Sequence, residues 1–256
     1  MNKIKNKNRF VAMLDVMGTK NMVKRNRGKE ISVLFEQLKG FVKKYNCDDY
    51  IEMTFFSDSI LLYSNDDSLE SYRAIVYLSA YLTIFFMKQG FGLNGCISYG
   101  KCICYNTEGK YITIGDPITN AYLTQSDLFF YGVAVDKTVI DKVHKCNYSV
   151  DNFFVADVVV ELKVPLKSKG WTNLRIVNWM EFLEVGESDY EKQKNMSKEI
   201  MRGIYECNKN VGRGDFYIQN TEIVLQQWYD YIAERRGFDN YKWGSMLSEK
   251  YLTQCP

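Results

Sequence analysis

Two aspartates, each bordering a short apolar segment, are the residues of this chain best suited to chemistry. Asp15 follows the apolar residues 10–14, and Asp58 lies in the polar turn Ser57-Asp58-Ser59 between two apolar segments. A carboxylate at the end of an otherwise buried strand is costly unless it is paired or bound to a cation. Hard cations such as Mg²⁺ and Mn²⁺ take oxygen ligands and commonly bind one or two carboxylates plus substrate phosphates. The two acids therefore predict one shared cation site.

The segment after Asp15 predicts a phosphate site. Residues 16–20 read Val-Met-Gly-Thr-Lys, and Gly18 permits a tight turn into a following helix. Backbone N–H groups at a helix N-terminus can hold a phosphate, to which Lys20 would add a positive charge. The alternative is that Asp15 only caps the helix, Asp58 only belongs to a polar turn, and the basic residues form a solvated face.

The elements around these residues read as an α+β fold. The predicted order is β-α-β-β-α-β-α-β, which is a helix-crossed antiparallel palm of the ferredoxin-like type. In such a palm the first strand and the hairpin that carries Asp58 can be neighbours, so the two acids can converge. The predicted palm strands are residues 10–14, 51–56, 60–63, 93–99 and 133–135, with a core helix at 69–89. A second helix is predicted to have Asp116 as its cap and Pro117 as its first residue, and to run to about residue 129.

The pattern changes beyond Asp151. Two strands are predicted within residues 153–162 and 174–177, and two amphipathic helices within 190–208 and 218–236. We therefore expect a catalytic palm in residues 1–150 and an α/β extension in residues 151–256. With three prolines in the whole chain and no Ser/Gly-rich hinge, the extension is expected to pack on the palm as one globule.

The composition argues against several classes of function. The 33 Lys and Arg residues nearly balance the 31 Asp and Glu residues, so a general nucleic-acid-binding surface is not expected. The seven cysteines have no repeated pair spacing, which favours neither a disulfide framework nor a zinc site. No apolar run reaches the about 20 residues of a membrane span, and the polar N-terminus lacks a secretory signal. We expect a cytoplasmic protein without direct membrane or nucleic-acid partners.

Four short blocks of the sequence resemble, in their order and spacing, the motifs of a known enzyme family. They are Phe-Val-Ala-Met-Leu-Asp-Val-Met-Gly at 10–18, Phe-Ser-Asp-Ser at 56–59, Leu-Asn-Gly-Cys-Ile-Ser-Tyr-Gly at 93–100 and Gly-Asp-Pro-Ile-Thr-Asn-Ala-Tyr at 115–122. Together they resemble the class III nucleotide cyclases, and more closely the pyrimidine cyclases of bacterial Pycsar anti-phage systems. The resemblance covers residues 9–136, and Gln219-Asn220-Thr221 at the start of a later helix also fits it.

The resemblance implies a metal-dependent lyase. It implies a homodimer with composite active sites that converts UTP or CTP into cyclic UMP or cyclic CMP and pyrophosphate, with UTP favoured over CTP as the substrate. The product would be a second messenger in antiviral defence, activating a separate effector protein. Two Mn²⁺ or Mg²⁺ ions per active site would lower the pKa of a ribose hydroxyl and neutralise charge on the leaving pyrophosphate.

The resemblance assigns metal-binding and phosphate-binding roles to specific residues of this chain. Asp15 and Asp58 match the metal-binding acids, with the Val16 carbonyl as a backbone ligand. The implied phosphate-binding turn consists of Met17, Gly18, Thr19 and Lys20.

Two further residues are candidates for recognising the base. Purine cyclases of the class carry a lysine four residues before the hairpin acid, where this chain has Thr54, and this change fits a different base. Tyr50, at the entrance to the same strand, could fill the space left by a smaller pyrimidine ring or bond to its edge. A core or interface role for Tyr50 is the alternative.

The chain also departs from the family pattern. Class III cyclases place an asparagine after the Gly-Asp block and a transition-state arginine four residues later, but these positions are Thr119 and Leu123 here. Asn120 is one residue out of register, and Asn94 stands where the pyrimidine subgroup often has arginine. The positive charge that the arginines would supply to the transition state is therefore missing at these positions, which weakens transition-state stabilisation.

The alternative to an active cyclase is a catalytically weak or inactive cyclase-like module that binds a nucleotide. A polymerase of the diguanylate cyclase type is disfavoured because its Gly-Gly-acid-acid hairpin is absent.

Overall fold

A computed structural model describes residues 5–19, 49–107, 110–146, 158–183, 190–208 and 214–236, together with positions 33, 36–38 and 40. Within these residues the strands are β1 (Lys5–Met17), β2 (Ile51–Phe56), β3 (Ser59–Ser64), β4 (Gly92–Thr107), β5 (Lys110–Gly115), β6 (Gly132–Val135), β7 (Val159–Leu166) and β8 (Gly170–Val177). The helices are α1 (Leu69–Lys88), α2 (Asp116–Asp127), α3 (Lys137–Lys145), α4 (Tyr190–Asn208) and α5 (Gly214–Arg236), and a 3₁₀ helix spans Trp179–Phe182.

The strands form one sheet in the order β2-β3-β1-β4-β6-β8-β7, and β5 pairs with β4 beside this path. The pairs β2–β3, β3–β1 and β1–β4 are antiparallel, which is the strand arrangement of a ferredoxin-like palm. Strands β1 and β4 pair along the whole of β1, from Lys5 opposite Cys104 to Met17 opposite Gly92. The predicted α+β fold is confirmed.

The two faces of the sheet contact different helices because side chains alternate along a strand. On one face, the Phe10 ring packs against Tyr72 of α1 with 5.5 Å between ring centroids. On the other face, the Asn94 side chain of β4 accepts a hydrogen bond from Gln125 of α2. Asp15 is the residue of β1 directly opposite Asn94, so it lies on the face that carries α2.

Helix α1 has clear signals at both ends. The Ser68 hydroxyl caps its N-terminus by accepting from the Ser71 backbone N–H at 3.2 Å. After the last helical residue, Gly90 adopts φ +84°, a conformation that glycine tolerates best. Between these ends, twelve residues are buried, and Ile75, Leu78 and Phe86 are among the most deeply buried. These signals explain why the core helix could be predicted so closely from the sequence.

The two C-terminal strands, β7 and β8, are added to the sheet of the palm. Strand β8 pairs with β6, and β7 pairs with β8, so the C-terminal strands extend the same sheet. Helix α5 contacts the segment before β6, and two of its side chains make short hydrogen bonds to backbone groups there. The Thr221 hydroxyl accepts from the Tyr131 backbone N–H at 2.8 Å, and the Asn220 amide donates to the Phe129 carbonyl at 2.7 Å. In the described helices, no segment is long and apolar enough to cross a membrane.

The structure differs from the sequence expectation around Gly115. Residues 110–115 form strand β5, which pairs with β4 from Cys102 opposite Gly115 onward. Helix α2 therefore begins directly at the end of a strand, and its N-cap residue is Gly115, so Asp116 is the first helical residue and not the cap. Helix α3 is likewise present where no helix was predicted, with the Asp136 carboxylate accepting from the Thr138 N–H at 2.9 Å.

Candidate active site

Asp15 belongs to a row of residues that crosses five strands on the α2 face of the sheet. Its neighbours in register are Ser59 on β3 and Asn94 on β4. Ser59 is in turn opposite Phe56, and Asn94 is opposite Gly132 of β6. The row thus places a hydroxyl, a carboxylate and an amide side by side, with an aromatic ring at one end and a glycine at the other. Asp15 itself is half-buried.

Asp58 is held beside β1 by the turn between β2 and β3. The Val16 backbone N–H donates to the Asp58 carbonyl at 2.8 Å, which extends the β1–β3 pairing one step into the turn. The preceding residue, Ser57, adopts φ +58°, which is uncommon for a residue other than glycine. The turn therefore fixes the backbone of Asp58 next to the end of β1, and brings the two sequence-predicted acids to the same corner of the sheet.

Thr19 connects the two sides of this corner. Its buried hydroxyl lies 3.3 Å from Asp58 Oδ2 and 3.4 Å from the Val16 carbonyl oxygen. Both distances are long for O–H···O hydrogen bonds, and one hydroxyl proton serves one acceptor at a time. The chain can reach this position because Gly18, with φ +97°, turns the backbone directly after Met17. Lys20, the last residue of the predicted phosphate-binding turn, lies outside the described residues.

The donor atoms at this corner fit a hard divalent cation. Asp58 Oδ2 and the Val16 carbonyl oxygen, two members of the proposed ligand set, each lie within 3.4 Å of the Thr19 hydroxyl. The Asp15 carboxylate lies on the adjoining residue of β1. Across the described residues there is no group of three or more His, Cys, Asp and Glu side chains that could enclose a metal. Two carboxylates and a carbonyl match Mg²⁺ or Mn²⁺, which take further ligands from water and phosphate, better than they match zinc.

Sequence reasoning did not identify Gln125 as part of this neighbourhood. The Gln125 amide nitrogen donates to Asn94 Oδ1 at 2.9 Å, and both side chains are buried. One signal was available in the sequence. Pro117, Ala121 and Gln125 are spaced four residues apart and form the buried side of α2, so a polar residue sits in an otherwise small, apolar stripe.

The residues proposed to recognise the base lie on the strands next to the acids. Thr54 is half-buried on β2, in register with Leu61 of β3, which is itself opposite Met13 of β1. Thr54 therefore lies on the same face of the sheet as Asp15. Its row, with Leu61 and Met13, is the next one away from the β2–β3 turn on that face. Tyr50 precedes β2 and is 40% exposed, and its carbonyl accepts from the Asn65 N–H at 2.8 Å. Thr54 is thus two residues from the end of β2 that leads into the Asp58 turn. Tyr50 lies at the other end of β2, away from Asp15 and Asp58.

The buried thiol on the same face is unsuited to nucleophilic chemistry. Cys96 lies on β4, opposite Met13 and two residues from Asn94. Complete burial raises the pKa of its thiol far above the usual range, and the nearby Asp136 carboxylate raises it further. Because the thiolate is the reactive form, Cys96 is a packing residue.

The outer side of α2 is exposed and partly apolar. Tyr122 is 53% exposed and Leu123 is 58% exposed, and Thr119 lies one turn earlier on the same side. Ile114 of β5 and Phe56 at the β2–β3 turn are exposed as well. Ile114 and Phe56 lie at separate places in the sheet, so we call Tyr122 and Leu123 of α2 the outer apolar patch. Leu123 is the position at which the sequence resemblance leads one to expect an arginine.

Comparison with known proteins gave structural matches only. No protein-family model matches the chain, and no curated protein matches it. Among solved structures, the catalytic core of a rhodopsin-guanylyl cyclase with converted specificity, in complex with ATPαS, matches at 11% identity and a TM-score of 0.48, covering 69% of this chain and 98% of that one. The guanylate cyclase domain of RhGC from Catenaria anguillulae, in complex with GTP, matches at 12% identity and a TM-score of 0.46, covering 68% and 98%. The adenylyl cyclase CyaB from P. aeruginosa matches at 11% identity and a TM-score of 0.44, covering 68% and 95%.

Proposed function

We propose that this protein is a metal-dependent nucleotide cyclase that acts on a pyrimidine nucleoside triphosphate. The observation that carries the proposal is the corner formed by β1 and the β2–β3 turn. There, Asp58 and the Val16 carbonyl converge on Thr19, and Asp15 occupies the adjoining position of β1. Oxygen ligands next to a glycine turn suit a divalent cation that carries a triphosphate.

The residues of the chain have separate tasks in this reaction. Asp15, Asp58 and the Val16 carbonyl would hold Mn²⁺ or Mg²⁺, two ions per site by resemblance to class III cyclases. When bound, such ions lower the pKa of the ribose 3′-hydroxyl and neutralise charge on the leaving pyrophosphate. Thr19 orients the Asp58 carboxylate, and the backbone at Met17 and Gly18, followed by Lys20, would receive the phosphates. The ribose 3′-hydroxyl gives up its proton to solvent, its oxygen attacks the α-phosphorus, and the bond from that phosphorus to the leaving pyrophosphate breaks.

The preference for a pyrimidine rests on the resemblance and on Thr54. Thr54 shares the face of Asp15 and offers a short hydroxyl where purine cyclases have a lysine. UTP is the proposed substrate and CTP the second choice, giving cyclic UMP or cyclic CMP. By the same resemblance, the product would act as a second messenger in anti-phage defence inside the cytoplasm and would activate a separate effector protein.

Product formation from the four nucleotides tests this proposal. The full-length protein is incubated with UTP, CTP, ATP or GTP and Mn²⁺, and the products are identified by mass. We expect cyclic UMP as the main product, and we expect Asp15→Asn and Asp58→Asn to reduce turnover at least about 100-fold because each removes a metal ligand. Ser126→Ala, at an exposed position of α2, is the control. Absence of any cyclic product would refute the proposal.

A homodimer is part of the proposed function. The outer apolar patch lies on α2, whose Gln125 bonds to Asn94 beside Asp15, and it gives a second copy an apolar surface close to the site. In a composite site, groups from that copy would replace the missing arginine charge. We expect the purified protein to have twice the monomer mass in solution, measured by light scattering after gel filtration.

Leu123→Glu tests the dimer surface. A charge in the outer apolar patch should shift the protein toward monomer and lower turnover together. Phe216→Glu is the matched control, because Phe216 is 49% exposed on α5 and belongs to the C-terminal extension. Equal effects of the two substitutions, or a monomeric wild-type protein that still turns over, would contradict the composite site.

A nucleotide-binding module without turnover is the second candidate function. Thr119 and Leu123, on the exposed side of α2, carry no charge where class III cyclases have asparagine and arginine. This candidate predicts that UTP with Mn²⁺ raises the melting temperature while no cyclic product forms. The product assay and a thermal shift on the same sample separate the two candidates.

A further inference from the structure

Next to Asp15, on the α2 face of the sheet, lies a buried pair of carboxamides. Asn94 of β4 is 1% exposed and Gln125 of α2 is 7% exposed. The Gln125 amide nitrogen donates to Asn94 Oδ1 at 2.9 Å. Burying two amides requires hydrogen bonds that satisfy them, so the pair needs a physical reason beyond filling space.

The hydrogen bond from Gln125 determines which group Asn94 has left to offer. A carboxamide has an oxygen that accepts and a nitrogen with two N–H donors. Gln125 occupies one of the two acceptor positions of the oxygen, and both N–H donors at Nδ2 are left for other partners. Asn94 therefore needs an acceptor close to its own position on the sheet.

The row of residues across the sheet provides an acceptor for Asn94. Asn94 is directly opposite Asp15 on β1 and Gly132 on β6. Glycine has no side chain, whereas Asp15 has a carboxylate, and the Cβ atoms of directly opposite residues are about 4.5 to 5.5 Å apart. Asp15 is thus the side chain in this row that can accept from Asn94.

We propose that Asn94 and Gln125 are positioning residues for the metal ligand Asp15. This inference rests on the proposed function, because it takes Asp15 as a ligand of Mg²⁺ or Mn²⁺. When a cation is bound, Asn94 Nδ2 would donate to the Asp15 carboxylate, and Gln125 would hold the Asn94 amide in the orientation that makes this possible. Carboxylates that bind metals are commonly oriented by such outer hydrogen bonds, whose loss weakens metal binding.

The two amides are neutral, so they leave the charge around the cation unchanged. An amide pair orients Asp15 without adding positive charge, so it does not compete with the cation for the carboxylate. A purely structural pair would behave differently: it would tie α2 to β4 and affect unfolding, but would leave cation affinity unchanged. Cation affinity is therefore the decisive measurement.

The experiment measures Mn²⁺ binding to the full-length protein by titration calorimetry, independently of turnover. The variants are Asn94→Leu, Gln125→Leu and the double variant, with Asp15→Asn as the positive control and Ser126→Ala as the matched control on α2. We expect Asn94→Leu to weaken Mn²⁺ binding about 10- to 100-fold. Gln125→Leu should weaken it by a smaller factor, and Ser126→Ala should bind Mn²⁺ as the wild type does.

The double variant tests whether Gln125 acts through Asn94. If it does, Gln125→Leu has no further effect once Asn94 is leucine, and the double variant binds Mn²⁺ as tightly as Asn94→Leu. Replacing both partners by apolar groups also avoids leaving one buried amide unpaired, so the double variant should fold. As a second measurement, the side-chain amide resonance of Asn94 in the wild type should shift when Mg²⁺ is added.

Several results would overturn the inference. Mn²⁺ affinities within about twofold of the wild type in both single variants, with Asp15→Asn losing affinity, would show that the pair does not act on the metal ligand. A Gln125→Leu effect that persists in the Asn94→Leu background, or an Asn94 resonance unmoved by Mg²⁺, would do the same. If the wild type binds no Mn²⁺, this inference and the metal site of the proposed function both fail. If Mn²⁺ binding follows the expectation but no cyclic product forms, only the proposed function fails.

Discussion

The Thr19 hydroxyl shows how a single small group can control the geometry of two candidate ligands. It is buried, and it lies within 3.4 Å of both Asp58 Oδ2 and the Val16 carbonyl oxygen. Because both contacts are longer than usual, small movements of the turn change which oxygen accepts the proton. If the same two oxygens held a cation, Thr19 would be the neighbour that orients the carboxylate.

We therefore predict different effects for two substitutions of Thr19. Thr19→Val keeps the shape but removes the hydroxyl, and should lower the proposed kcat/KM about tenfold, the equivalent of about 1.4 kcal/mol. Thr19→Ser retains the hydroxyl and should stay close to the wild type. Steady-state kinetics with UTP and Mn²⁺ measure both variants. Equal activity of Thr19→Val and the wild type would show that the hydroxyl does not orient the site.

At the scale of elements, the N-terminus of α1 combines a helix cap with an acid that the cap stabilises. Hydroxyls of Ser68 and Ser71 each donate to Asp66 Oδ1 at 2.6 Å. These hydrogen bonds lower the pKa of Asp66 from 3.8 to about 2, the Ser68 side chain contributing most. The same Ser68 hydroxyl accepts from the Ser71 N–H, so the cap and the acid share one network.

The lowered pKa of Asp66 predicts how stability depends on pH. Because the folded pKa lies below the unfolded value, the contribution of Asp66 is fully present above about pH 4 and is lost as pH falls toward 2. We expect Asp66→Asn to reduce the pH dependence of the melting temperature in this window. At neutral pH, Ser68→Ala should cost about 1 kcal/mol through loss of the helix cap. Denaturant unfolding at several pH values measures both variants, and unchanged pH dependence in Asp66→Asn would contradict the assignment.

The elements differ in how far sequence alone could predict them. Helix α1 was predictable because a long apolar segment with cap residues at its ends identifies it locally, and the apolar residues 10–14 identified the middle of β1. The polar residues from Lys5 onward belong to β1 because they pair with β4, which local pattern does not show. Strand β5 was missed because residues 110–115 are short and acquire their strand structure by pairing with β4. For the site, the position of Asp58 followed from a hairpin signal. The bond between Asn94 and Gln125 joins residues 31 positions apart and depends on how α2 lies across the sheet, which local pattern cannot give.

At the scale of the whole molecule, the C-terminal helix α5 is bonded to the palm next to the site. Asn220 and Thr221, part of the block that fits the cyclase resemblance, bond to backbone groups of Phe129 and Tyr131 just before β6. Trp228 and Tyr229, farther along α5, are fully buried. The described extension thus shares its sheet and its core with the palm. The division into residues 1–150 and 151–256 stays a prediction about folding units.

Thr221→Val tests this connection. The substitution keeps the size of the side chain but leaves the buried Tyr131 N–H without its acceptor, which costs about 1 to 3 kcal/mol. We expect a lower midpoint of denaturant unfolding with an unchanged slope. Thr221→Ser, which retains the acceptor, is the control. A midpoint equal to that of the wild type would show that α5 contributes little to the stability of the palm.

The bonds from α5 to the segment before β6 also bear on how the protein is made. Their partners lie 90 and 91 positions apart in the chain, so they close only after most of the polypeptide has been synthesised. While the ribosome extends the chain, β1 to β4 can assemble early, but β6 keeps an open edge until β8 pairs with it, and the segment before β6 lacks its final contacts until α5 emerges. The open edge of β6 is meanwhile available for unwanted pairing. We expect the interval between translation of β6 and of β8 to be when a nascent chain is most prone to aggregate.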